Sequence, residues 1–310
     1  GGKVKALGGS GRAGKSDIFV VEACEFVDTF LKLSNDISVI LNIDNDHLDY
    51  FGSIENSIKS FRKFASNSTG PVIVNGDDAN TMKAVEGLDK EIITFGWSNK
   101  NDYYAADVRF LGGAKSGYTL MHHGKPICEI RLSIPGKHNI LNSMACAAVC
   151  LYLGMNPEEM AEHIDKFPGA GRRFEILGEV NGVTIADDYA HHPTEIAATL
   201  KAAKEMDFHE VWAVFQPFTY SRTALLMDDF VTALSVADHV VMSEIMGSRE
   251  KNTYNVYTKD LAEKIPGSVW FNTFKEMADY TMSHAKPGDL VITLGCGDVY
   301  KCAYIMAGID

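Results

Sequence analysis

The chain has 310 residues, 46% of them hydrophobic and 23% charged, and a formal net charge of −12. That length allows two domains with separate cores, and the negative excess argues against a nucleic-acid backbone or an anionic membrane as the main partner. No apolar run approaches the roughly 18 residues that span a bilayer, and no signal-peptide pattern opens the chain.

Gly1-Gly2-Lys3 enters without an initiator Met and in mid-pattern, so the chain reads as a piece of something longer. Gly9 to Ser16 matches the phosphate-loop pattern GxxxxGK[ST] letter for letter. Such a loop works because a helix leaves it and aims amides and a positive dipole end at the phosphates. Here the apolar run Asp17–Glu22 follows at once and reads as a buried strand, so the glycine-rich stretch is expected to be a connector. A phosphate-loop NTPase is the reading this displaces.

A second buried strand, Ser38–Ile43, delivers Asp44-Asn45-Asp46-His47-Leu48-Asp49-Tyr50. Parallel neighbours present their ends side by side. Glu22, with Glu25 just beyond it, and His47 are therefore candidates to share one hard cation, which wants oxygen ligands; solvated acidic loops are the alternative. From Ser53 a helix is predicted, with Ile54, Ile58, Phe61 and Phe64 on one face. Strands follow at Pro71–Asn75 and Glu91–Phe95, then an antiparallel hairpin formed by Tyr118–Met121 and Ile127–Ile134 around Gly124-Lys125.

After Pro135-Gly136 a nearly all-apolar helix is expected from about Asn139 to Tyr152. Asn139 and Asn142 share one of its faces, and a buried amide left unmatched costs about 1–3 kcal/mol. An adenine edge, donor and acceptor at once, would satisfy both side chains; capping plus an interhelical hydrogen bond would serve too. A shorter helix begins at Asn156-Pro157, and Phe167–Gly171 is the predicted boundary between residues 1–171 and 172–310. Arg172 and Arg173 sit at that junction, where cations can reach a phosphate across a cleft.

Beyond the boundary, strands are predicted at Val183–Ala186, Val211–Phe215, His239–Met242, Ser268–Phe271 and Leu290–Thr293, separated by helical stretches. That alternation is a doubly wound, Rossmann-like α/β domain. Its first strand runs into Asp187-Asp188-Tyr189-Ala190-His191-His192-Pro193-Thr194-Glu195, and Pro193 suits a first helical turn. Two carboxylates, a phenol and two imidazoles thus gather at a strand exit, where α/β sheets bind ligands. Locally, a capped turn with solvated polar groups reads the same way. Gln216–Arg222 and Gly295-Cys296-Gly297-Asp298 occupy equivalent positions after later strands. The six cysteines form no CxxC pair, which favours reduced cytoplasmic thiols over zinc or disulfides.

Taken in order, Glu22 to Glu25, Asp46 to Asp49, His138-Asn139-x-x-Asn142, Arg172 to Glu175, Asp187 to Glu195, Gln216 to Arg222 and Leu294 to Asp298 span nearly the whole chain. This series resembles the Mur ligases, ATP-dependent amino-acid ligases of peptidoglycan synthesis, and within them the branch that joins L-alanine to UDP-N-acetylmuramate. The resemblance implies a central ATPase-type domain followed by a Rossmann-like domain, without the family's N-terminal UDP-binding domain and phosphate loop. It implies Mg²⁺ at Glu22 and His47, adenine at Asn139 and Asn142, and ribose at Asp188. Arg173 would reach the phosphates, while Tyr189, His191 and Arg222 would line the cleft where amino acid and acyl phosphate meet. Phe218 stands where this branch usually has His. The rival readings are the ligase of the same family that adds a whole tripeptide, and a non-catalytic binding module with the ligase fold.

Overall fold

The computed structural model describes residues 2, 4, 7–111 and 115–309, with the side chains of Leu48 and Asp49 left aside. Two six-stranded sheets organise the chain. The first runs β1 (Ser38–Ile40), β2 (Val72–Asn75), β3 (Ile92–Gly96), β4 (Tyr103–Phe110), β5 (Ser116–His122) and β6 (Lys125–Leu132) in spatial order. It is parallel through β4 and antiparallel from there on.

The helices of this half are α1 (Leu48–Phe51), α2 (Ile54–Ser66), α3 (Ala79–Val85), α4 (Lys137–Tyr152) and α5 (Pro157–Asp165). Ser53 caps α2 by accepting the Asn56 N–H, and Phe64 and Ala65 of its apolar face pack with Val72, Val74 and Ala84. The opposite sheet face carries Ile73, Phe95, Tyr118, Leu120 and Ile130 against Ile140, Met144 and Ala148 of α4. An apolar helix is what that position demands, since α4 is covered along most of its length.

The expected strand at Asp17–Glu22 does not form. Phe19 and Val20 are 86% and 87% exposed, and β1 ends the sheet. An apolar run becomes a strand only with a ladder partner and a covering layer, and this one has neither among the described residues. No helix follows Ser16 either, in keeping with a connector at Gly9–Ser16. The strand expected over Ser38–Ile43 closes at Ile40. Two strands went unread, β4 and β7 (Glu175–Val180). Both are half-exposed, so neither shows the continuous apolar run that marks a buried strand.

The second sheet comprises β7, β8 (Val183–Asp188), β9 (Val211–Phe215), β10 (His239–Ser243), β11 (Val269–Phe271) and β12 (Leu290–Leu294). Its order is β11-β10-β9-β12-β8-β7, with only β7 antiparallel. The helices are α6 (Pro193–Lys204), α7 (Tyr220–Leu225), α8 (Met227–Leu234), α9 (Thr258–Ala262), α10 (Phe274–His284) and α11 (Tyr300–Ala307). Separate apolar cores fill the two faces, one built on Phe215, Phe230 and Leu234, the other on Val214, Met277 and Met306. The chain returns to insert β12 between β8 and β9, so the C-terminal ends of these three strands open into one crevice. Among the described residues no helix is long and apolar enough to cross a membrane.

Candidate active site

Glu25 precedes a 3-10 helical stretch, Phe26–Lys32, and Asp46 and His47 lie in the loop between β1 and α1. His47 Nε2 is 3.4 Å from Glu25 Oε1 and 3.8 Å from Asp46 Oδ2. One ligand atom from each of the three falls within 4.8 Å of the others. The Glu25 hydrogen bond raises the His47 pKa, and the same bond lowers that of Glu25. Two carboxylates and an imidazole are a donor set that fits a divalent cation. The structure brings His47 into this group as the sequence suggested, but with Glu25 and Asp46; Glu22 is exposed and is not part of the trio.

At the head of the second sheet, Asp187 and Asp188 are both buried, at 1% and 6% exposure. Asp187 accepts from Arg172 Nε at 2.8 Å and from the Thr293 hydroxyl at 2.6 Å. The same guanidinium donates to the carbonyls of Gly295 (2.6 Å) and Gly297 (3.2 Å) and lies over the rings of Tyr189 and Tyr300. Arg172 therefore ties the start of the second half to the ends of β8 and β12. Asp188 accepts the backbone N–H of Phe174 on one oxygen and that of Ala190 on the other, each at 2.7 Å. Burial pushes its pKa up to about 6 against the pull of these donors and of Arg173.

The segment then turns into α6. His192 caps that helix by accepting the Thr194 N–H, and Glu195 reaches back to the N–H groups of His191 and His192. The capped turn is thus present, and the candidate site residues Tyr189 and His191 lie beside it. His191 Nδ1 contacts the Tyr189 carbonyl at 3.1 Å, and its ring meets Tyr189 and Phe218 edge-on, with centroids 5.5 and 6.5 Å away. Burial lowers the His191 pKa.

From the N-terminal turn of α7, Arg222 donates to Asp46 Oδ1 at 3.1 Å and to the Phe218 carbonyl at 3.2 Å. Thr194 donates to Asp44 at 3.3 Å. Two residues of the second half thus touch the acidic loop of the first, and the Glu25–Asp46–His47 trio and the Asp187–Glu195 segment face one cleft. Glu250 braces this wall by accepting from Thr219 Oγ1 (2.7 Å), Ser221 N (2.8 Å) and Ser221 Oγ (2.5 Å). Sequence reasoning missed Glu250, which lies in a loop after β10 with no motif around it. Its only signal is its place beyond a strand's C-terminal end.

Asn139 and Asn142 do share a face of α4. Asn142 donates to Asn139 Oδ1 at 3.3 Å, and Asn139 donates to the Pro135 carbonyl at 2.7 Å. Arg173 is exposed, with its guanidinium 5.6 Å from the Tyr189 ring centre. A Cβ at Gly297 would lie 2.4 Å from Gln216 Oε1, the atom that accepts the Asp298 N–H, so that side chain would have to shift and give up the bond.

Fold and cleft together define a class, the α/β proteins that gather acidic side chains and arginines between two sheets. Within that class, residues 8–150 match the Mur ligase middle domain and residues 172–297 match the Mur ligase glutamate ligase domain. The UDP-N-acetylmuramate–L-alanine ligase of Caldanaerobacter subterraneus subsp. tengcongensis is 45% identical over 97% of the chain, and that of Caldicellulosiruptor saccharolyticus 43% identical over 96%. The chain belongs to the Mur ligase family. It spans 67% of the length of each of these relatives.

Among solved structures, the UDP-N-acetylmuramate–alanine ligase of Thermotoga maritima matches with a TM-score of 0.74 at 25% identity, over 91% of this chain and 61% of that one. The MurF ligase of the same organism, solved with ADP, matches with a TM-score of 0.73 at 18% identity over 91% of this chain and 65% of that one, a likeness of fold alone.

Proposed function

We propose that this chain forms the ATP-binding and amino-acid-binding parts of a ligase that joins L-alanine to the lactyl carboxylate of UDP-N-acetylmuramate. The observation that carries the reading is the contact of Arg222 with Asp46, which puts an arginine of the second half against the cation-binding trio of the first. The identity to alanine-adding relatives favours L-alanine over a tripeptide as acceptor. The units would be residues 1–171 and 172–310, hinged near Gly169–Gly171.

In this reaction a carboxylate attacks the γ-phosphate of ATP and ADP leaves, and the amine of alanine then attacks the acyl phosphate and expels inorganic phosphate. Two like unit charges brought to about 4 Å repel by about 4 kcal/mol at an effective dielectric of 20. A bound Mg²⁺ would supply charge neutralisation, held by Glu25, Asp46 and His47, with Glu22 as the further candidate from the sequence. Arg222 and Arg173 would add fixed positive charge where the phosphoryl group moves. Tyr189, His191 and Phe218 would wall the amino-acid side and keep water from the acyl phosphate. Asn139 and Asn142, already hydrogen-bonded to each other, would present one amide surface to adenine, and Asp188 would accept from the ribose through its remaining lone pairs.

Two measurements test this. Asp188→Asn in the full-length enzyme is expected to weaken ATP binding about tenfold, the effect of about 1.4 kcal/mol. It should also abolish the fall in ATP affinity as wild-type Asp188 protonates below about pH 6. Isothermal titration across pH 5–8 measures both, and an unchanged affinity refutes the ribose role. The second expectation concerns these 310 residues by themselves, whose described residues place no phosphate loop at a helix N-terminus. Incubated with ATP, UDP-N-acetylmuramate and L-alanine, they should release no alanine-dependent ADP, and measurable release would sink that expectation.

A further inference from the structure

At the end of the second sheet opposite the cleft lies another group of metal-ligand side chains. His209, Glu210 and Asp289 each place one ligand atom within 4.8 Å of the other two. They sit just before β9 and β12, where adjacent parallel strands begin. Their backbones are already locked together, His209 N donating to the Gly288 carbonyl and Leu290 N to the Glu210 carbonyl, both at 2.9 Å. Donors carried on paired strands rather than on a free loop are held to the small tolerances that a coordination site needs.

The side chains are oriented as well as close. Asp289 is fully buried, and its Oδ2 accepts from the Lys286 N–H at 2.8 Å and from Trp212 Nε1 at 3.2 Å. Its Oδ1 points to His209 Nδ1 at 3.2 Å. Burial favours the neutral acid, yet the Lys286, Trp212 and His209 donors outweigh it and hold the pKa below the usual carboxylate value. Glu210 is steadied from the other side by His239 Nε2 at 3.1 Å, and the His239 ring stacks on Trp212 with centroids 3.9 Å apart. Outer partners of this kind fix ligand orientation in metal sites. None of these residues takes part in the cleft, which lies at the other end of strands about 15 Å long at roughly 3.3 Å per residue.

We propose that His209, Glu210 and Asp289 form a second cation site, for a divalent first-row transition ion, that staples the start of β9 to the start of β12. One imidazole and two carboxylates are a donor set that serves Zn²⁺, Co²⁺ or Mn²⁺.

The test uses the 310-residue chain after chelator treatment and dialysis, with Zn²⁺ and Co²⁺ as probes. Isothermal titration should give one zinc equivalent that survives His47→Ala, which removes the cleft cluster, and is lost or weakened at least tenfold in His209→Ala and in Glu210→Gln. In a Trp97→Phe, Trp270→Phe background, Co²⁺ should quench Trp212 fluorescence, and Mg²⁺ at the same concentration should not. Zinc stoichiometry and affinity unchanged in both variants, with circular dichroism intact, would overturn the proposal. So would wild-type protein whose only zinc equivalent disappears with His47→Ala.

Discussion

Replacing Arg172 with alanine is expected to cost about 3–5 kcal/mol of folding stability, the range seen when one partner of a buried ion pair is removed. Asp187 would keep only the Thr293 hydroxyl as a donor while remaining almost wholly buried, and the carbonyls of Gly295 and Gly297 would lose theirs. Burial already raises the Asp187 pKa despite Arg172 and Thr293, and without the guanidinium it rises further. The folded variant then holds a proton that the unfolded chain releases near pH 4. Its deficit should be smallest in acid, below the unfolded-state value, and grow as the pH rises through the folded-state value. Urea unfolding at several pH values measures this, with the midpoint shifting at constant slope. A loss under about 1 kcal/mol at neutral pH would mean that Arg172 is not the tie described. Arg172→Lys should fall between, because an ammonium cannot serve the carboxylate and two carbonyls in one plane.

The largest loss of activity is expected from Arg222→Ala in the full-length enzyme, about 10²–10³-fold in kcat, the scale of removing one fixed donor from a developing negative charge. Arg222 meets Asp46 across the cleft, so its removal both deletes a cation and frees a carboxylate of the trio. Asp46→Asn separates the two effects. If Arg222 acts only by steadying Asp46, the two variants should lose activity equally and the double variant no more than either. If it acts on the reacting phosphoryl group, the losses should differ and the double variant should be worse. A change of less than about threefold in kcat for Arg222→Ala, with the fold intact, would remove it from the mechanism.

Much of the fold was legible because buried parallel strands write themselves as continuous apolar runs bounded by turn signals. All five strands expected after Gly171 are present within a residue or two. The helix from Ser53 and the hairpin around Gly124 also formed as expected. The run Asp17–Glu22 failed by the same rule, since its composition is that of a strand but no neighbour or covering layer meets it. Strands β4 and β7 escaped notice because a half-exposed strand has no run to show and is stabilised mainly by its partner's ladder.

The site divides along the same line. The types and order of the chemical groups, from His47 through Asn139, Asn142 and Asp188 to Arg222, were set by the chain itself, as was the strand exit on which Asp187–Glu195 sits. Their relations were not. That Glu25 rather than Glu22 joins Asp46 and His47, that Arg172 serves Asp187, and that Glu250 braces Ser221 depend on side chains 15 to 29 residues apart in sequence. Strand polarity determines at which end of a sheet a group emerges, which sequence alone can give. Which groups then lie within 3 Å of one another is decided by sheet order and loop path, and those follow from packing of the whole molecule.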